Sequence, residues 1–151
     1  MAVILLIDDE KFILRALSQM IEAIGHNVVT AISGYEAREF FKPGAFDIVI
    51  ADLNLPDCDG LTLLREFMAK DEDIKTVMIT GFSTIQVLAQ ATNEGVNAYI
   101  TKPFSMGEIT STLNRLIRED TQPATRSPQP DAEENDKGIF SRVFRKWRPS
   151  A

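Results

Sequence analysis

The chain reads as an α/β domain built on a doubly wound parallel sheet. Three observations predict this. Five short runs rich in Val and Ile recur within residues 1–120, amphipathic segments of helical period separate them, and the reactive side chains fall just after the runs. Strands alternating with helices imply a (βα)5 order, right-handed crossovers and helices on both faces of the sheet.

The runs at residues 2–7, 27–31, 47–51, 76–80 and 97–101 are short and apolar, and read as buried strands. After the first, Ile13, Leu17, Met20, Ile21 and Ile24 repeat at helical spacing, and Gly25 supplies the stop. Ser33-Gly34, Asp59-Gly60 and Ser83 mark the starts of three further helices. Met106, Ile109, Leu113, Leu116 and Ile117 form the apolar stripe of the last. Met106 and Met68 read as core filler, Cys58 as a bystander in a turn, and His26 as an exposed residue of a helix-strand connection.

Composition narrows the class. The 151 residues carry 44% hydrophobic and 25% charged side chains, enough for a packed core. A net charge of −6 gives no overall basic footprint for nucleic acid. One cysteine forms no intrachain disulfide, and the apolar run at the start is too short for a signal peptide or a membrane span. A cytoplasmic protein is expected. Residues 1–120 sum to −8, residues 121–136 to −3 and residues 137–151 to +5. The expected organisation is therefore a domain over 1–120, a disordered linker over 121–138 and a short basic amphipathic segment over 139–148. The linker is rich in Pro and acids and lacks large apolar residues, so it cannot offset the entropy of ordering.

The polar residues converge on one sheet edge. Strand 1 runs out into Asp8-Asp9-Glu10, strand 3 into Asp52, strand 4 into Thr80-Gly81 and strand 5 into Lys102-Pro103. In open parallel sheets ligands bind at the carboxyl ends of strands, where the strand order reverses. A flavodoxin-like order, 2-1-3-4-5, brings Asp8, Asp9 and Asp52 together with Thr80 and Lys102 beside them. Carboxylates crowded in this way repel one another unless a cation joins them, and an all-oxygen set favours Mg²⁺. Thr80 and Lys102 suit phosphoryl oxygens, and one carboxylate can act as the nucleophile of phosphoryl transfer.

Asp8-Asp9, Asp52 within DLNLPDCDG, Thr80-Gly81, Tyr99 and Lys102-Pro103 resemble the receiver domain of bacterial two-component response regulators, over about residues 1–120. The short tail after the domain is similar to a chemotaxis-type, single-domain regulator. The resemblance implies that Asp52 is the phosphoacceptor for a sensor histidine kinase or acetyl phosphate. It implies that Asp9 and Asp52 bind Mg²⁺ directly, with the Asn54 backbone carbonyl, while Asp8 acts largely through water. Thr80 would bond the phosphoryl group, Lys102 would pair with it, and Tyr99 would be the switch aromatic. Lys102-Pro103 would be a cis peptide. Residues two beyond the phosphoacceptor and the threonine, Asn54 and Phe82, would govern water access. Output would pass to a downstream protein through the face of helix 4, strand 5 and helix 5. Enzyme activity would be limited to self-phosphorylation and self-dephosphorylation.

Two other classes fit less well. A haloacid-dehalogenase-like phosphatase needs a second aspartate where Asn54 stands, and connections here leave no room for a cap. A DNA-binding regulator needs a second domain that the tail does not hold, so no DNA contact is expected. In the tail, Ile139, Phe140, Val143, Phe144 and Trp147 share one helical face, opposite Arg142, Arg145, Lys146 and Arg148. Phe140, Phe144 and Trp147 are expected to dock on an acidic protein, an anionic membrane or the domain itself.

Overall fold

The computed structural model describes residues 1–81 and 85–121. The element order is β1 (Val3–Ile7), α1 (Lys11–Ala23), β2 (Asn27–Ala31), α2 (Gly34–Phe40), β3 (Ile48–Asp52), α3 (Gly60–Lys70), β4 (Lys75–Thr80), α4 (Ile85–Asn93), β5 (Ala98–Thr101) and α5 (Met106–Thr121). The five strands form one parallel sheet in the order β2-β1-β3-β4-β5, as expected.

Side chains on a strand alternate between faces, so each strand feeds two cores. Leu5, Ile7, Val49, Ala51 and Met78 pack with Ala37 of α2 and with Leu64 and Phe67 of α3. Leu6, Ile50, Val77 and Ile79 pack on the other face with Leu17 and Ile21 of α1 and Leu113 of α5. The Phe41 and Phe67 rings stack at 4.1 Å between centroids, tying the end of α2 to α3. Gly25, at φ +97°, ends α1 in a conformation that a Cβ disfavours.

The helices α2, α3 and α4 are also joined at their surfaces. Arg38 of α2 grips both carboxylate oxygens of Glu66 on α3, at 2.8 and 3.0 Å. The neighbouring Arg65 reaches the other way, to Glu94 just past α4, at 3.0 Å.

The structure corrects several expectations. β2 is not a buried strand: only Ala31 is enclosed, and Val29 is 36% exposed. It lies at the sheet edge and pairs with β1 alone, so it has less cover than β1, β3 and β4. Met106 is 41% exposed rather than core filler, because it is the first residue of α5, ahead of the buried Ile109 and Leu113. Met68 does pack against the core. β3 is displaced by one residue, so Asp52 is the last residue of its strand, and β4 starts one residue early, at Lys75. α5 continues to Thr121. The expectations for Phe82, Ser83, most of the linker, and the tail residues Phe140, Phe144 and Trp147 lie outside the described residues.

Candidate functional site

Strand register builds the site. Ile7 is level with Ala31 and Ala51, Asp52 with Ile79, and Thr80 with Thr101. The residues that end β1, β3, β4 and β5 therefore share one edge. Asp8 lies immediately past β1, and its N–H donates to the Ala31 carbonyl at 3.1 Å. Lys102 follows β5, and its N–H donates to the Thr80 carbonyl at 2.8 Å. The Lys102-Pro103 peptide is cis, as the sequence implied.

One carboxylate oxygen each from Asp8, Asp9 and Asp52 lies within 4.8 Å of the others. Asp8 is fully enclosed, Asp52 is 6% exposed, and Asp9 is open to solvent. Lys102 Nζ enters this group, 3.1 Å from Asp8 Oδ2, 3.0 Å from Glu10 Oε1 and 3.5 Å from Asp52 Oδ1. Burial and the charge of Asp8 push the Asp52 carboxyl up to about 6, against the pull of Lys102. Burial also raises Asp8. Burial opposes the charge on Lys102, but the hydrogen bonds that it donates to Glu10 and Asp8 outweigh it and hold the ammonium protonated.

The donor set fits a hard divalent ion. Asp8 Oδ2 is buried without a well-aligned hydrogen bond, 3.1 Å from the ammonium, and the carboxylates of Asp8, Asp9 and Asp52 crowd together beside it. Mg²⁺ at the open, Asp9 side of this group would meet oxygen ligands alone.

The loop after Asp52 is held tightly. Gly60 N–H donates to the Leu53 carbonyl at 2.7 Å, Leu55 N–H to the Cys58 carbonyl at 3.2 Å, and Asn54 bridges Asp59. A Cβ at Gly60 would overlap the Asp52 carbonyl oxygen, so only glycine allows α3 to start this close to the site. Asp59 caps α3 by accepting from Leu61 N–H at 2.9 Å. On the outer side, the Asp57 carboxylate accepts from Gly34 N–H and Tyr35 N–H at the start of α2.

Thr80 is fully buried at the end of β4, one residue along from the level of Asp52. Tyr99 is half-buried on β5, packs toward the α2-α3 core, and burial pushes its hydroxyl up to about 12. Thus Asp8, Asp9, Asp52 and Lys102 meet directly, and Thr80 shares their edge. Asn54 sits in the adjoining loop, opposite Asp59 in an isolated antiparallel bridge.

Two polar residues had no role in the sequence reading: Glu10, which binds Lys102, and Asp57, which holds α2. Glu10 adjoins the acidic pair, and that adjacency was its only signal. His26 is half-buried rather than exposed. Its Nδ1 accepts from Ala2 N–H at 3.0 Å, because the α1-β2 turn folds back beside the chain start. Cys58 stays half-buried, and burial raises its thiol, in keeping with an inert residue.

Known proteins share this fold. Residues 4–114 match the family model described as the response regulator receiver domain. The C4-dicarboxylate transport transcriptional regulatory protein DctD of Rhizobium meliloti is 32% identical over 112 residues, 74% of this chain and 24% of its own length. The probable transcriptional regulator ycf27 of Porphyridium aerugineum is 34% identical over 115 residues, 76% of this chain and 48% of its own. The chain thus spans less than half the length of these two curated relatives. Among solved structures, a receiver domain protein from Clostridium thermocellum superposes with a TM-score of 0.75 at 30% identity, covering 79% of this chain and 96% of that one. The non-phosphorylated HemR receiver domain of Leptospira biflexa gives 0.74 at 28% identity, covering 86% and 100%. With its fold, its acidic edge and its matched residues in agreement, the chain belongs to the receiver domain family of two-component response regulators.

Proposed function

We propose that Asp52 accepts a phosphoryl group from a sensor histidine kinase or acetyl phosphate, and that the modified domain changes its protein contacts. The observation that carries this reading is the meeting of Asp8, Asp9 and Asp52 with Lys102 at the carboxyl edge of the sheet. An ionised Asp52 oxygen attacks phosphorus. The bond from phosphorus to the donor's imidazole nitrogen or acetate oxygen breaks, and the leaving group departs with that electron pair. Asp9, Asp52 and the Asn54 carbonyl would hold Mg²⁺, with Asp8 acting through water, and the ion would supply positive charge to the phosphoryl oxygens. Lys102 swings from the carboxylates to the new phosphoryl oxygens, and Thr80 offers its hydroxyl to the same group.

Output passes through the face of α4, β5 and α5 to a downstream protein, with Tyr99 following Thr80. Phe140, Phe144 and Trp147 add a contact to an acidic protein or an anionic membrane. A cytoplasmic location fits a partner of histidine kinases. Among the described residues no helix is long and apolar enough to cross a membrane. The chemotaxis-like mode, signalling by protein contact rather than DNA contact, is part of this reading.

Phosphorylation with acetyl phosphate, followed by intact-mass measurement, tests the assignment. Wild type should gain one phosphoryl group in Mg²⁺ and none in EDTA, and Asp52→Asn should gain none. A gain in Asp52→Asn equal to wild type refutes it.

A further inference from the structure

Glu10 occupies an unusual position for an acidic side chain. It caps α1, immediately before Lys11, with extended backbone (φ −89°, ψ 108°), and its carbonyl accepts from Leu14 N–H at 3.0 Å. An acid at this position ordinarily turns its carboxylate onto the free N–H groups of the first turn. Here no side-chain capping bond forms. The carboxylate reaches instead across the crevice to Lys102, 92 residues away, at 3.0 Å. Its own N–H is fixed by Asp8 Oδ1 at 2.9 Å, which aims it. Glu10 is 59% exposed on its side chain, whereas the Lys102 side chain is 17% exposed and Asp8 is sealed. The ammonium therefore lies between an inner pair, Asp8 and Asp52, and an outer carboxylate at the mouth.

We propose that Glu10 is a positioning residue that holds Lys102 at the mouth of the crevice, so that the ammonium can yield the inner carboxylates to an entering cation without leaving the site. This rests on the phosphoacceptor reading above and adds a regulator to the same site. Without Glu10, Lys102 has only Asp8 and Asp52 as anionic partners among the ion pairs described, and it competes with the cation for both. With Glu10, the competing charge is drawn outward by a carboxylate outside the Asp8, Asp9 and Asp52 group. The same hold keeps the ammonium within reach of an incoming phosphoryl group. Glu10 thus influences metal affinity through Lys102, beyond the weak, screened attraction of one more negative charge.

The test is a double-mutant cycle on the full chain, with Mg²⁺ affinity measured by calorimetry without phosphodonor. Glu10→Gln should weaken Mg²⁺ binding by about threefold to tenfold, and by less than about twofold in a Lys102→Ala background. Glu10→Asp keeps the charge but shortens the reach, and should resemble Glu10→Gln. Equal losses in both backgrounds, or full affinity in Glu10→Asp, overturn the positioning role and leave Glu10 a simple charge. Loss of Asp52 phosphorylation in wild type would refute the phosphoacceptor reading instead, and is measured separately. Wild type that binds no Mg²⁺ overturns both. Because Glu10 is exposed and makes no core contact, these variants should melt near the wild-type temperature, which excludes misfolding as the cause.

Discussion

The Asp57 carboxylate accepts from Gly34 N–H at 2.9 Å and from Tyr35 N–H at 2.8 Å, binding the loop that follows Asp52 to the first turn of α2. Ser33 caps the same turn by accepting from Glu36 N–H at 3.0 Å, so three of the helix's free donors are satisfied. The bond from Gly34, helped by that from Tyr35, lowers the Asp57 carboxyl below its usual range, against the effect of burial. Asp57→Ala should cost roughly 0.5–2 kcal/mol in urea unfolding at pH 7. A lowered carboxyl stabilises the fold above the unfolded value of 3.8, and the stabilisation disappears as pH falls through the lower folded value. The difference between Asp57→Ala and wild type should therefore shrink only below about pH 4. A difference that closes already at pH 6 would contradict it.

Asp52 shows the opposite linkage. Its folded value, about 6, lies above the unfolded 3.8, so its ionised form weakens the metal-free fold above that range. Asp52→Asn should stabilise the protein in EDTA at pH 7.5, by on the order of 1–3 kcal/mol. The gain should fade as pH drops through 6 toward 4. Unfolding curves from pH 4 to 8 in EDTA check this.

His26 should make stability sensitive to mild acid. Burial and the nearby N-terminal ammonium lower its value below the usual 6.5, with Asp47 opposing. The neutral ring accepts from Ala2 N–H, and protonation removes that acceptor. A base with a lowered folded value contributes stability above the unfolded value, and this is lost as pH falls from 6.5 through the folded value. His26→Gln, which keeps an acceptor without titrating, should lose less stability than wild type between pH 7.5 and 5. A difference of about 1 kcal/mol is expected in urea unfolding.

Gly60→Ala should be damaging for its size. The added Cβ would overlap the Asp52 carbonyl, which belongs to the sheet and cannot withdraw. A loss of about 2–4 kcal/mol and slower phosphorylation are expected together, read by thermal melts and by initial rates. Gly107→Ala has only a contact of 3.8 Å to Ser105 Oγ, and serves as the mild control.

Much of this was legible in the residues. The Val- and Ile-rich runs specify strands, and the placement of Asp8, Asp52, Thr80 and Lys102 just after them specifies an edge, because a parallel sheet aligns its carboxyl ends. β2 misled because composition reports apolarity, whereas exposure depends on being the outer strand. Met106 misled because a helical stripe does not say where the covered part begins. The Lys102-Glu10 contact spans 92 residues, and no local pattern marks it. Asp57 looks like any turn aspartate until α2 is seen beside it, and the bond from Ala2 to His26 exists only after β1 and β2 pair.

Arg65 and Glu66 are adjacent along α3 yet reach in opposite directions, one to Glu94 and the other to Arg38. Exposed pairs of this kind add little to stability, typically about 0.2–1 kcal/mol each. Their significance is lateral. The middle helix is tied to both neighbours from almost the same point, so α2, α3 and α4 form one continuous row along that side of the sheet. A shift of α4 has to stretch or release Arg65 first.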